Sequence, residues 1–303
     1  MRKNYTIAAA QFTPVSGDCE ANLRKMEELC GKAAEAKASL ILFPELALTG
    51  YYLKADALRA LAVPAEGSWS GPLRKKAEEL HMIIAVGYPE KAPEQAVPEQ
   101  TVPAPAPQMY NSCLLIGPDG KTIGNARKRY LWGREKRLFL PGDSFEVFET
   151  ELGKMSALLC YDLEYPEPSR IAALKGADVI LCPAAWSRKA AHRWRVETAA
   201  NALFNLVYVA GANFIDENCC GNARIVGPDG TVIAEGSTEF GKSTSEEGSA
   251  EFGNTVSPKS DVIVTAEIRF EELERCREEI PYRKDLIPAI LEEAANAARD
   301  GFC

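Results

Sequence analysis

Two distant stretches of the chain run in parallel: Ala36-Lys37-Ala38-Ser39-Leu40-Ile41-Leu42-Phe43-Pro44 and Lys175-Gly176-Ala177-Asp178-Val179-Ile180-Leu181-Cys182-Pro183. Each closes a helical pattern and then gives a short apolar run stopped by proline, the mark of a strand buried on both faces. Their surroundings repeat in the same order. Residues 21–36 carry Leu23, Met26, Leu29, Cys30 and Ala33 at helical spacing, with Asp18 or Glu20 near the start. A helix over 71–80, a strand over 82–87 and a hairpin turning at Gly117-Pro118-Asp119-Gly120 follow. The second series has a helix over 167–175, a strand over 178–182, a helix over 190–205, a strand over 206–212 and a hairpin at Gly227-Pro228-Asp229-Gly230. Two units in one order predict two halves of a single α/β domain packed sheet against sheet.

Two stretches interrupt this plan. Residues 90–108 are rich in Pro, Ala and Glu and are expected to form an exposed loop outside any sheet. Residues 240–260, rich in Gly, Ser and Glu, also read as a loop. After a last strand over 261–268 comes an amphipathic tail, broken by Pro281 and Pro288. Its apolar stripe (Leu273, Cys276, Ile280, Ile287, Ile290, Leu291) lies beyond the repeated core, so it is expected to meet a second subunit.

Composition excludes several classes. A net charge of −8 disfavours nucleic acid as a partner. No apolar run reaches the roughly 18 residues of a membrane span. The N-terminal apolar stretch is broken by Gln11 and Pro14 and reads as a first strand, not a secretion signal. Nine cysteines with no CxxC pair fit reduced thiols in a cytoplasm better than a disulfide framework. Two histidines leave little room for a zinc site or a Ser-His-Asp triad, and His192 reads as a surface or packing residue.

The candidate chemistry lies at strand ends. Cys160 ends an apolar strand over 155–160, just before a helix, where turn amides favour a thiolate; a buried structural cysteine is the alternative. Glu45 follows its strand in the same way, as a site carboxylate or a surface turn acid. Lys128 sits in the basic run Arg127-Lys128-Arg129, which read alone is a solvated face. Gly-Pro-Asp-Gly-Lys121-Thr122 is no phosphate loop, because Leu115 stands where the motif needs glycine.

Together these segments resemble the nitrilase, or carbon–nitrogen hydrolase, superfamily. The resemblance rests on Phe43-Pro44-Glu45-Leu46-Ala47-Leu48-Thr49-Gly50-Tyr51, on Arg127-Lys128-Arg129-Tyr130-Leu131 and on Leu159-Cys160-Tyr161-Asp162-Leu163-Glu164-Tyr165-Pro166-Glu167. Glu135 through Phe139-Leu140-Pro141-Gly142-Asp143 and Arg277-Glu278-Glu279-Ile280-Pro281 add to it. It implies a four-layer α-β-β-α sandwich with an internal pseudo-twofold repeat, with a hydrolase domain over 1–270 and a helical tail over 271–303 that serves oligomerisation. It also implies a Glu-Lys-Cys triad of Glu45, Lys128 and Cys160, with Glu135 in support. Tyr130 departs from the family's usual histidine.

On that basis the chain is expected to hydrolyse an amide or N-carbamoyl bond of a small molecule. Cys160 would attack through a thioester, Glu45 would move protons, and Lys128 with the Tyr161 backbone N–H would hold the oxyanion. The scheme needs no metal or organic cofactor. Tyr161-Asp162, where nitrilases carry Trp-Glu, favours an amide over a nitrile. Tyr51 and Trp186 are candidates for the substrate wall, with core packing as the alternative. A nitrilase and a non-enzymatic scaffold or sensor are the competing readings; a ligase-coupled glutaminase and a membrane acyltransferase are disfavoured. A homodimer or larger even-numbered oligomer is expected, paired through 167–175, 190–205 and the tail.

Overall fold

The structure is a computed structural model that describes residues 2–93, 109–238 and 261–301. The first repeat builds strand β1 (Tyr5–Phe12), helix α1 (Cys19–Glu35) and strand β2 (Ala38–Leu42), then helices α2 (Ala55–Ala60) and α3 (Gly71–Leu80) and strands β3 (Ile83–Lys91), β4 (Met109–Ile116) and β5 (Thr122–Arg127). The second builds β6 (Phe148–Thr150), β7 (Gly153–Ala157), α4 (Pro166–Leu174), β8 (Val179–Ala184), α5 (Ala191–Asn205), β9 (Tyr208–Phe214), β10 (Arg224–Val226) and β11 (Val232–Glu235). Strand β12 (Val262–Ile268) and helices α6 (Phe270–Glu279) and α7 (Pro288–Gly301) close the chain. No helix among the described residues is long and apolar enough to cross a membrane.

Both halves use one strand plan. β12 pairs antiparallel with β1, and β6 with β7; each then continues through parallel strands into a hairpin. The two hairpin turns match atom for atom. Gly120 (φ +71°) and Gly230 (φ +82°) take the left-handed conformation that favours glycine. Asp119 and Asp229 accept from the N–H two residues on, at 3.1 and 2.9 Å. Among the described residues, the strand ladders of the two halves pair only where Gln11 and Phe12 of β1 meet Asn213 and Phe214 of β9.

Alternation along the strands makes the layers. Ile7 and Ala9 of β1 and Val179 and Leu181 of β8 enter one core between the two sheet halves. Their neighbours Ala8 and Ala10 pack under Met26 and Leu29 of α1, while Ile180 and Cys182 pack under Ala172 of α4 and Trp194 of α5. Three apolar layers therefore separate four layers of structure, the α-β-β-α sandwich.

Three expectations are corrected. Pro183 does not stop its strand, which runs on to Ala184. The Leu181 carbonyl accepts from the Leu158 N–H just past β7, so Pro183, two residues on, faces the same side, beyond the last pair of β7. Its missing N–H costs no ladder bond there. Glu90 and Lys91 belong to β3, not to a loop: Glu90 is buried and takes Ser112 at 2.7 Å and the Arg127 guanidinium. Residues 94–108 and 240–260, read as loops, fall outside the described residues. Finally, the stripe of the tail reaches its own core: Phe270 and Leu273 pack between the sheets, and Cys276 is buried. Ile287, Ile290 and Leu291 remain exposed. Leu273→Ala should therefore cost about 2–5 kcal/mol of stability. Urea unfolding at several protein concentrations checks this, because loss of an intrachain contact shifts the midpoint equally at all of them.

Candidate active site

The strand ends of both halves meet at one edge of the sandwich. Glu45 lies three residues past β2, in a turn tied to β3 by Phe43 N–H to the Ala85 carbonyl (2.8 Å) and Leu48 N–H to the Gly87 carbonyl (3.2 Å). Gly87 is needed for this approach. A Cβ there would stand 2.3 Å from the Pro44 carbonyl oxygen and 2.8 Å from Glu45 Cα. Lys128 directly follows β5, its N–H bonded to the Asn111 carbonyl at 2.8 Å. Cys160 opens a short 3-10 turn three residues past β7 and holds a positive φ of +47°, rare for a residue with a side chain.

Glu45, Lys128 and Glu135 form one buried network. Lys128 Nζ donates to Glu45 Oε1 at 2.6 Å and to Glu135 Oε1 at 2.9 Å, with all three side chains essentially inaccessible. Asn111 Nδ2 also donates to Glu45 Oε1, at 2.7 Å. Tyr51 Oη and Trp132 N–H fix Glu135 at 2.7 and 2.8 Å. The Ala185 N–H donates to Glu45 Oε2 at 3.0 Å, and it also draws the Cys160 thiol down against the effect of burial. Asp162 stitches the two loops together, accepting from the N–H groups of Arg129 and Tyr130 on one oxygen and of Leu159 on the other. Burial pushes Asp162 up to about 7 against the pull of those N–H groups.

Electrostatics follow from burial. Desolvation raises Glu45, with Glu135 adding to it and Lys128 opposing. Desolvation alone would lower Lys128, but the two carboxylates hold it well above its ordinary value, so it stays an ammonium. The Cys160 thiol is pushed well up by burial and then by Glu45. That corrects the expectation of a ready thiolate. The helix α4 begins only at Pro166, so Cys160 does not sit on a helix N-terminus.

Cys160 is half-buried because part of it opens into a cavity of about 350 Å³ walled by Tyr51, Tyr52, Trp132, Tyr161 and Trp186. Tyr51 and Trp186 thus reach the site, though Trp186 is also core, packed 5.0 Å from the Trp194 ring. Tyr161 lines the cavity with its ring. Tyr130, in place of the family's histidine, stacks on Tyr165 at 3.9 Å. His192 lies at the surface. Among the described residues no group of three or more His, Cys, Asp or Glu is placed to hold a metal ion.

Residues 6–277 match the family model described as carbon-nitrogen hydrolase. The chain belongs to the carbon-nitrogen hydrolase family. This hydrolase is 33% identical to a probable nitrilase of Schizosaccharomyces pombe over 75% of the chain and 82% of that protein. It is 30% identical to a 2-oxoglutaramate amidase of Bacillus subtilis over 93% of the chain and 99% of the relative. Its fold is similar to that of an amidase from Nesterenkonia sp. solved with acrylamide added at the active-site cysteine. The TM-score is 0.70, with 25% identity, over 93% of this chain and 100% of that one.

Sequence reasoning missed Asn111, Ala185, Asp162, Glu164 and Arg193 around this hydrolase's cavity. Ala185 alone carried a signal, since it directly follows the buried strand β8 at the sheet edge where Glu45 lies. The Asn111 Oδ1 is buried with no partner among the described residues, so the bond to Glu45 is what anchors the side chain. Asn111→Leu removes a donor to the ionised carboxylate, worth about 1.5–3 kcal/mol. The acid limb of the kcat/KM profile should then move to higher pH, because the carboxylate takes up a proton more readily. An unmoved limb in a folded variant contradicts this.

Proposed function

We propose that this hydrolase cleaves the amide or N-carbamoyl bond of a small molecule through a Cys160 thioester, releasing ammonia or an amine. The observation that carries the reading is the buried Glu45 carboxylate, held by Lys128, Asn111 and the Ala185 N–H, whose charge acts on the Cys160 thiol beside the cavity. Beneath them, Lys128 spends two of its three N–H donors on Glu45 and Glu135, leaving a third for the substrate oxygen.

Charge conservation dictates the steps. With Glu45 and Glu135 ionised against one ammonium, the buried cluster already carries a surplus negative charge. A free thiolate would double it. Glu45 therefore takes the thiol proton as sulfur attacks the carbonyl carbon, and the negative charge it gives up passes through sulfur to the carbonyl oxygen, so no second surplus charge is created. The developing oxyanion meets Lys128 and the Tyr161 backbone N–H. Collapse breaks the C–N bond, the Glu45 proton leaves on nitrogen, and a thioester remains. Water then attacks the thioester, Glu45 takes its proton and returns it to sulfur as the acid departs.

The name of the Bacillus relative supports an amide, and that of the Schizosaccharomyces relative keeps a nitrile as the second reading. Incubation with paired amides and nitriles separates them. Cys160→Ser should fold normally by circular dichroism and lose about a thousandfold or more in turnover. Glu45→Gln should accumulate a covalent adduct on Cys160, visible by intact mass, or lose turnover entirely. Near-native rates in either variant overturn the reading.

Assembly is part of the same proposal. Ile171 and Leu174 on α4 and Val196 and Phe204 on α5 are exposed, Val196 at 63% and Phe204 at 54%. This apolar outer face fits a twofold contact with a second copy. Light scattering should give at least twice 33.1 kDa, and Val196→Glu with Phe204→Glu should lower it. A monodisperse monomer at micromolar concentration would show the face to be unpartnered.

A further inference from the structure

Resting on the thioester reading, we infer that Asp162 is a positioning residue: its ionised carboxylate assembles the oxyanion site by clamping the lysine segment to the cysteine turn. The two donors proposed for the oxyanion, Lys128 Nζ and the Tyr161 N–H, come from different loops, so their convergence needs a bridge. Asp162 is 1% exposed and accepts from both sides of that divide. Its Oδ1 takes the N–H groups of Arg129 and Tyr130, which follow Lys128, at 3.1 and 2.8 Å. Its Oδ2 takes the N–H of Leu159, which precedes Cys160, at 3.1 Å. The Asp162 N–H returns to the Leu159 carbonyl at 3.0 Å, closing the turn in which Cys160 holds its positive φ. Ring contacts of Tyr130 with Tyr165 and of Trp132 with Tyr161 add to the seam. Rings tolerate sliding, whereas hydrogen bonds weaken steeply when their angle is lost.

An ionised carboxylate only accepts, which suits a place where three N–H groups converge; a protonated one would turn an O–H toward groups that themselves donate. The titratable groups acting on Asp162 are Lys128, Tyr130 beside it and Cys182 of β8. Burial pushes Tyr130 and Cys182 up, so both stay neutral near pH 7. Arg129 lends its N–H but turns its guanidinium over the Phe145 ring at 5.3 Å. Lys128 and the three N–H groups therefore hold Asp162 ionised against burial, which lifts it to about 7. The clamp is complete above that pH and is lost as pH falls through it.

Asp162→Asn tests this, because it keeps the shape but sets an NH2 group against at least one of the three N–H groups. kcat should fall about a hundredfold, the usual effect of losing an oxyanion donor, with KM unchanged and a native circular dichroism spectrum. Asp162→Glu, which returns two acceptor oxygens, should recover part of the loss. In the wild type the acid limb of kcat should be steeper than one protonation allows, since Glu45 and Asp162 must both be ionised. Asp162→Asn should leave only the single-proton limb of Glu45. A loss confined to KM, or a limb equally steep in both proteins, overturns the inference. A second readout needs neither turnover nor a folded variant. In the wild type, hydrogen exchange corrected for intrinsic rates should lose protection at Arg129, Tyr130 and Leu159 as pH drops below about 7, while the strands stay protected. That local loss without hydrolysis of any amide or nitrile would count against the thioester reading alone, whereas hydrolysis with protection unchanged at those residues would sink the clamp alone.

Discussion

A fully buried ammonium is among the most demanding groups a fold can carry, since losing one partner of such a pair costs about 3–5 kcal/mol. Lys128 is that group here. Its two carboxylates come from different places: Glu45 from the end of β2, and Glu135 from the turn after the first hairpin. Neither can drift without stranding the charge. Supports therefore accumulate behind each: Asn111 and Ala185 on Glu45, Tyr51 and Trp132 on Glu135. The Asp162 carboxylate ties the lysine segment to the cysteine turn through three backbone N–H groups. The rigidity of the floor follows from the need to keep one charge satisfied.

The same network sets the state of the thiol. A site already holding two carboxylates against one lysine cannot also hold a standing thiolate at low cost. The resting nucleophile is therefore neutral, and its activation is tied to the proton acceptor beside it. A free thiolate would be open to any passing electrophile, whereas this arrangement generates nucleophilicity only when a carbonyl accepts the electrons. The strained φ of Cys160 aims the sulfur at the cavity at a modest cost in backbone energy.

Much of this was legible in the chain. The apolar runs at 36–44 and 175–183 and the two Gly-Pro-Asp-Gly turns give the strand plan because buried parallel strands and tight hairpins depend on local residue type. Glu45, Lys128 and Cys160 stand out because each lies at or just past the end of such an element. The misreadings share one cause, tertiary context overriding local composition. Glu90 looks like loop polarity until Arg127 and Ser112 arrive from β5 and β4. Pro183 looks like a stop until the end of β7 removes the need for its N–H. Leu273 looks stranded until β12 carries it back over the inter-sheet core. Asn111 and Arg193 sit mid-element with ordinary neighbours, so no local pattern marks them.

The duplicated plan raises the question of why there is one site and not two. The matched runs place Ala184 where the first half has Glu45, and the matched turns place Thr238 where it has Lys128. The strand registers Ile7 with Leu40 and Met155 with Val179 place Phe12 where the second half has Cys160. Ala184 and Phe12 are fully buried, and Thr238 is exposed, whereas Lys128 is not. Phe12 decides the matter physically. At Cys160 the chain leaves the sheet in a turn, but at Phe12 it stays in it, paired with Phe214 and with its ring edge-on to Phe43 and Phe214. Those two residue pairs are the seam between the sheet halves, so a nucleophile turn there would open the sandwich. One half-unit joins the sheets at the position where the other carries the thiol, and the fold has room for a single site.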